Sequence, residues 1–434
     1  SMRVWMLLIG VAPLAAQGNE AATKGMETWL AEVEQMLFDS GTNVSGAFGG
    51  LPGLIATAQE NDERQSVLQA HVEVITARAK VGRSWPDPEL RLGYEERNDK
   101  DQTNRGAAIR FRLPDRVDRR LLEKISQVDI DWTNQQINLL KGEMALRVKR
   151  LYAQGIFARL RLQSGAHHLK ILLEQDRQLA ILQESGQARV VERAQLLVKA
   201  LKLYRTMRKE FTLHQNSISE LLSLGITKPQ AEGALKVANW SELNTDQLPA
   251  LGELNTLANR NSEDTLKYKR EDAMLSIRLN EVKRSWLPSP SFFQLEWGNR
   301  SESGNSNRET GWGALAGFDI DLFDDHEEEL LLSVRRETDL NRKVEVQELE
   351  EKVKNRLADL LAIQNSHQHF EAICEPAISS IETWLVESEA AGGNKTTIWD
   401  TQEDLFELQD EILDMRWMLI ESLLDLESAV GQIL

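Results

Sequence analysis

Few residues in this 434-residue chain have the types and spacing to do chemistry. Two histidine pairs, His167 with His168 and His367 with His369, are the first places to look for a metal. Positions one or two apart on a helix point in different directions, and no carboxylate or cysteine cluster completes either pair. Cys374 is the only cysteine, which excludes an intrachain disulfide and a thiolate metal centre. No nucleophile elbow, phosphate loop or zinc motif is present. Asp400 and Glu403 stand three apart, so both carboxylates lie on one helical face. On a solvated helix of an acidic protein that pairing is ordinary. The expectation is a protein that is not an enzyme and has no cofactor and no metal.

The elements around these residues say more. Hydrophobic content of 41%, charged content of 27% and ten prolines describe an ordered chain rich in helix formers. No apolar run is long enough for a spanning helix. A net charge of −17 argues against nucleic acid, because phosphate binding needs a basic surface. The charge is unevenly divided: Thr57 to Ile226 holds 29 basic and 22 acidic residues, a net of +7, whereas Ala250 to Leu434 holds 18 and 38, a net of −20.

Residues 1–17 place Arg3 before an apolar run from Val4 to Leu14 and small residues Ala15-Ala16, the layout of a secretory signal peptide, with Ser1 reading as an added residue ahead of Met2. No cysteine sits near the expected cleavage region, which excludes lipid attachment there. Residues 18–54 read as an N-terminal extension: Met26, Trp29, Leu30, Val33, Met36 and Leu37 recur at helical spacing, followed by a flexible Gly-rich linker.

A first repeat spans 55–226. A helical pattern stops at Trp85-Pro86-Asp87-Pro88, since proline lacks the amide donor and disfavours the α region before it. Two strands follow at about 88–97 and 106–113. Leu90, Leu92 and Tyr94 alternate with Glu89, Arg91 and Gly93, and Ala107, Ile109 and Phe111 alternate with Ala108, Arg110 and Arg112. A helical pattern of about 70 residues then runs to Glu184, roughly 100 Å at ~1.5 Å per residue. Gly186 breaks it, and a return helix ends near Leu224-Gly225.

After a connector at 227–249, a second repeat at 250–434 follows the same order, with strands at about 291–299 and 312–322. Leu322-Phe323-Asp324 takes the place of Leu113-Pro114-Asp115, Gly392-Gly393 that of Gly186, and Val430-Gly431 that of Leu224-Gly225. Trp312, Ala314, Ala316 and Phe318 share one strand face, with Gly313, Gly317 and Asp319 on the other. The fold class is therefore mainly α, built from a duplicated helix–β-hairpin–long helix–helix unit with a membrane β-barrel contribution.

Four amphipathic strands cannot sit in lipid as an open sheet, because the unpaired edges would have no hydrogen-bond partners. They must close with other copies. Two chains would give eight strands, a barrel largely filled by its own side chains, so a conduit favours three or more. Arg91, Arg110, Arg112, Asp319 and Asp321 would face inward, which suits a wet lumen. A ring of the long helices would continue the barrel into a tube. Alternation of the +7 and −20 repeats around that ring would help to set the register between protomers.

The chain from Ile55 to Gly431 resembles the TolC-type outer-membrane efflux protein family, in the duplicated order and in PDPELRLGYE, LFDD and GGNKTTIWDTQEDL. The first of these is most similar to the branch serving heavy-metal exporters. The resemblance implies a homotrimer with a twelve-stranded β-barrel in the outer membrane and a periplasmic α-helical barrel. It implies a passive exit duct that docks with a periplasmic adaptor and an inner-membrane pump. Arg116-Val117 and Asp325-His326 replace the glycines that usually follow each hairpin, and the extension before Ile55 has no obvious family counterpart.

The resemblance also implies roles. Asp400 and Glu403 match the acidic residues of the periplasmic constriction, where three chains would gather six carboxylates into a cation-selecting ring. Gly186, Arg189 and Glu192 in the first tip, and Gly393, Lys395, Thr396 and Thr397 in the second, lie where the family meets its adaptor. Turn chemistry alone would also favour such residues. Trp85, Tyr94, Trp286, Trp297 and Trp312 suit a membrane-interface girdle, although Trp85 and Trp286 equally suit a plug at the elbow between helix and barrel. The competing reading is a periplasmic or secreted coiled-coil scaffold or adaptor without a pore.

Overall fold

The structure, a computed structural model, describes residues 21–37, 50–83, 87–97, 102–112, 116–185, 190–236, 243, 248–283, 289–302, 309–319 and 325–434. The expected signal segment, most of the Gly-rich linker, Gly186, Arg189, Trp85 and Trp286 lie outside these residues, as do Asp321 and most of the connector. The chain divides into two compact units, one comprising residues up to Asp62, Lys141–Asn255 and Glu351–Leu434, the other Glu63–Leu140 and Thr256–Glu350. Each repeat contributes to both units, so the compact division cuts across the duplication.

The second unit contains one antiparallel sheet of β1 (Glu89–Arg97), β2 (Gln102–Arg112), β3 (Ser289–Glu302) and β4 (Glu309–Asp319), paired in that order. Three strands start earlier than expected. β2 starts four residues before 106, β3 extends beyond 291–299 at both ends, and β4 starts three residues before 312, while 320–322 lie outside the described residues. The reason is the ladder: Arg97 pairs with Gln102, and Arg300 with Glu309. Backbone pairing continues through polar residues where apolar alternation has faded. The central pair β2–β3 joins the two repeats, with Ala107 opposite Trp297.

Around the sheet's sequence positions stand α3 (Glu63–Arg83), α8 (Glu263–Val282) and the first parts of α4 (Arg116–Glu184) and α9 (Asp325–Ala390). Ser262 caps α8 by accepting from the Thr265 amide. Arg270 of α8 donates to Asp129 of α4 at 2.6 Å, and Arg335 of α9 to Asp272 of α8 at 3.0 Å.

The first unit holds α1 (21–37), α2 (Gly50–Glu60), the rest of α4 and α9, α5 (Val190–Ser223), α6 (Lys228–Lys236), the start of α7 (Leu251–Asn261) and α10 (Lys395–Val430). One apolar cluster gathers Leu54, Val148, Tyr152, Leu221, Leu235 and Leu424. Each fully buried side chain of this kind is worth about 1.5–3 kcal/mol. The duplication is visible in the helix ends. Gly225 (φ 81°) and Gly431 (φ 77°) both take the left-handed conformation, and in each case the next amide reaches back five residues, Ile226 to Leu221 at 3.3 Å and Gln432 to Glu427 at 3.2 Å. Where the first repeat buries Leu221, the second buries Glu427, which accepts from Lys149 at 2.7 Å and from the Leu434 amide at 2.9 Å.

The N-terminal extension is part of the packed body. Met26, Trp29, Leu30 and Val33 of α1 are buried with Leu162, Leu169 and Leu173 of α4 and Leu197, Ala200 and Met207 of α5. Trp29 meets Tyr204 edge-on at 4.8 Å. Glu27 and Glu34 pair with Arg177 and Lys170 of α4. The α1 residues recur with helical period and have a groove to fill, so α1 is the third helix of the first hairpin.

Candidate functional site

In the sheet, alternation places Leu90, Leu92, Tyr94, Ile109, Trp297 and Trp312 on one face. Leu92 and Trp312 are 78% and 81% exposed, so this apolar face is not a core. Tyr94, Trp297 and Trp312, three of the five expected girdle aromatics, thus share one face. The opposite face carries Glu89, Arg91, Arg110 and Arg112. Glu89 accepts from Arg91 at 3.1 Å and from Arg112 at 2.6 Å, while Arg110 lies 3.7 Å over the Phe292 ring. Leu315, opposite Gln294, also lies on this polar face, as does Phe292. A register shift between Pro290 and Phe292 precedes it, and Gly317 opposite leaves room for its ring, since a Cβ there would come within 2.2 Å. Asp319 ends β4.

In the other unit, Asp400 is exposed on α10 and makes no ion pair with a described residue. Glu403, one turn on, is half-buried and accepts from Lys199 of α5 at 2.5 Å. The structure therefore changes the charge expected here: of the two carboxylates on this face, only Asp400 is uncompensated. Behind them, His168 of α4 stacks on Phe406 of α10 at 4.4 Å, its Nε2 buried without a partner among the described residues. Burial pushes the His168 imidazole down to about 4, with His167 and Lys199 adding to the shift and Glu403 opposing it. Ser164 donates to Asp410 at 3.1 Å, and burial raises that carboxyl. Arg161 donates to Glu210 of α5 and pairs with Asp414 of α10. Polar contacts thus tie α10 to α4 and α5.

The second tip is built from turn chemistry. Gly392 (φ 67°) is left-handed, the Gly393 amide donates to Ser388 at 2.9 Å, and Asn394 caps α10 by accepting from the Thr396 amide at 3.1 Å. The Thr397 carbonyl accepts from the Thr401 hydroxyl at 2.8 Å. Lys395 reaches Gln178 of α4 at 3.5 Å, which joins this tip to the first hairpin. Glu192 lies exposed in the first turn of α5. The histidine pairs gain no ligand set: His167 and His168 both face Phe406, and His367 lies 3.7 Å from Glu371, which Arg416 already engages. Among the described residues no group of three or more His, Cys, Asp or Glu could hold a metal ion, and no helix is long and apolar enough to cross a membrane. Sequence reasoning weighed His168 only as a metal ligand and missed Lys199 and Phe406, because their meeting depends on how the helices pack.

No protein-family model matches the chain, and no curated protein matches its sequence. Solved structures do match its fold. A membrane protein from Pseudomonas aeruginosa is similar with a TM-score of 0.64 at 14% identity, over 88% of this chain and 93% of that one. CusC, described in connection with transmembrane channel formation, gives 0.62 at 14% identity, over 89% and 93%. The outer membrane protein VceC from Vibrio cholerae gives 0.60 at 12% identity, over 88% and 96%. These structures match most of this chain and most of their own, and the chain therefore has the fold of the TolC-type outer-membrane channels.

Proposed function

We propose that the chain is an outer-membrane exit duct of a tripartite efflux or export system, conducting cargo passively and catalysing no reaction. The observation that carries this reading is the sheet: four strands with an apolar face exposed at Leu92 and Trp312, a charged opposite face, and two outer strands, β1 and β4, that each pair on one side only. In water such a face is wasted and such edges invite aggregation. In lipid the apolar face is matched, provided the edges are closed by other copies. At 9 to 14 residues the strands have the length of bilayer-crossing strands. Three copies would close twelve strands around a lumen lined by Arg91 and Arg110, in the outer membrane of a Gram-negative-type bacterium, with the helices in the periplasm.

The tips would meet an adaptor that links the duct to an inner-membrane pump, through Glu192, Gly393, Lys395, Thr396 and Thr397 together with Gly186 and Arg189. Asp400 would set the charge of the narrowest ring, with Glu403 held back by Lys199. A pore-free scaffold leaves the exposed apolar face unexplained. Fractionation tests the proposal. A heat-modifiable trimer in the outer-membrane detergent extract is expected, whereas a fully soluble monomer would refute it.

A further inference from the structure

Two helices adjoin the outer strands, and each leaves one flank exposed. α3 leads into β1, and α9 follows β4. In the same unit, α8 shows a helix covered on both sides. It pairs Arg270 with Asp129 and Glu281 with Lys124 of α4, and Asp272 with Arg335 and Lys283 with Glu328 of α9. Its repeat counterpart α3 carries Val67, Val74 and Val81, seven residues apart, with the outer two 67% and 72% exposed. Apolar residues seven apart form one stripe along a helix, the pattern of a coiled-coil seam. On α9, Leu330 and Val344 are 62% and 52% exposed and stand as far apart as Val67 and Val81.

The duplication says what belongs against these stripes. α9 is the counterpart of α4 as α3 is of α8, so the α4–α8 contact has an equivalent between α9 and α3. Within one chain those two helices adjoin opposite outer strands, so the equivalent contact needs a second copy. The register transfers as well. α3 and α8 start 200 residues apart, at Glu63 and Glu263, while Asp115 and Asp324, ahead of the long helices, stand 209 apart. Moved by these offsets, the Glu281–Lys124 contact falls at Val81 and Ser333, and the Arg270–Asp129 contact at Ala70 and Thr338.

An antiparallel pair in that register sets Val81 against Leu330 and Val67 against Val344, with Glu337 the polar position opposite Val74. Charges fall into step with it: Lys80 meets Glu329, Glu73 meets Arg336 and Arg64 meets Glu345, opposite in sign each time. The net charges agree, since Glu63–Arg83 holds four basic and two acidic residues and Asp325–Glu350 four and nine. A slip of one heptad sets Lys80 against Arg336 in one direction and Glu73 against Glu329 in the other, like against like.

We infer that α3 of one copy seats antiparallel on the first part of α9 of the next, in the register fixed by these pairs. The inference rests on the proposal that several copies close the sheet, and adds a helical surface and its charge code. It carries the seam between copies from the open edges of β1 and β4 along about 21 Å of helix. Because the two surfaces differ, the contact is head-to-tail, which generates a ring when the rotation closes.

The test is disulfide cross-linking of the full-length protein in outer-membrane extracts, with Cys374→Ser removing the one native thiol. Val81→Cys/Leu330→Cys and Val67→Cys/Val344→Cys each place both thiols at one matched position, whereas Val81→Cys/Val344→Cys separates them by the length of the seam. Both matched variants are expected to give covalent multimers on non-reducing gels after mild oxidation, and the mismatched variant only monomers. If one matched variant does not assemble, the other carries the same expectation. In low salt, Lys80→Glu is expected to lower the assembled fraction severalfold, and Lys80→Glu/Glu329→Lys to restore it. Assembled matched variants without covalent multimers would overturn the inference and leave the duct standing, as would equal cross-linking of the mismatched variant. A double reversal that assembles no better than Lys80→Glu would overturn the charge code. A wild-type protein that never assembles would instead remove the duct, and the seam with it.

Discussion

The two helical hairpins arise from one duplicated pattern, yet they are held together differently. The first, α4 with α5, has α1 laid along it, and Trp29, Leu30 and Val33 complete a cluster that runs from Leu162 to Leu173. Its helices approach closely: a Cβ on Gly165 would meet Met207 at 2.8 Å. The second, α9 with α10, has no third helix in its tip cluster of Leu385, Ile398 and Leu405, and α9 carries Pro376 in its interior. Proline there removes one ladder hydrogen bond and crowds the preceding turn. The duplicated architecture is thus packed in two ways, with a third helix along the first hairpin and a proline inside the long helix of the second. The carboxylates of the candidate constriction sit on the second.

Removing Trp29 strikes hardest at this difference. Trp29→Ala deletes a buried ring and should cost about 3–5 kcal/mol, seen in hydrogen exchange as loss of protection along α4 and α5 to the level of the second hairpin. Protection that stays high would mean that α1 merely rests on a hairpin already stable. Pro376→Ala works from the other side. It should restore the ladder and stabilise α9 by about 1–3 kcal/mol, slowing exchange near Ala372 and narrowing the gap between the hairpins.

Acid should loosen the contact between the hairpins. His168 is held neutral with its imidazole pushed down to about 4. Its folded value lies below the unfolded one near ~6.5, so the stability it contributes is full above that value and falls as pH drops toward 4. The loss is on the order of 2 kcal/mol, allowing for incomplete burial. His168→Phe should abolish that part of the acid sensitivity in chemical denaturation between these pH values. The smallest change in stability belongs to Lys199→Met, because a pair exposed on one side is worth about 0.2–1 kcal/mol. Its effect on selectivity should be larger, since it frees Glu403: cation preference in bilayers should rise in Lys199→Met and fall in Asp400→Ala.

Local pattern carried much of this fold. The helix expected to run about 70 residues to Glu184 spans Arg116–Glu184, and its length rests on periodicity that nothing interrupts. Alternation located all four strands but misjudged their ends, because polar residues near the hairpin loops keep pairing after the pattern stops. Glycine at Gly225 and Gly431 was readable as a helix stop for the physical reason that only glycine takes that conformation cheaply. What was not legible depends on contacts between distant segments. The seating of α1 needs the groove between α4 and α5. The compensation of Glu403 needs Lys199 from a different helix. None of these leaves a signature within one stretch of sequence.

The most direct test of the conduit is a planar-bilayer recording on the detergent-extracted wild-type protein. Discrete, ohmic single-channel steps that persist without any energy source are the predicted result. Purified assemblies that insert into the bilayer and produce no steps would contradict a passive duct.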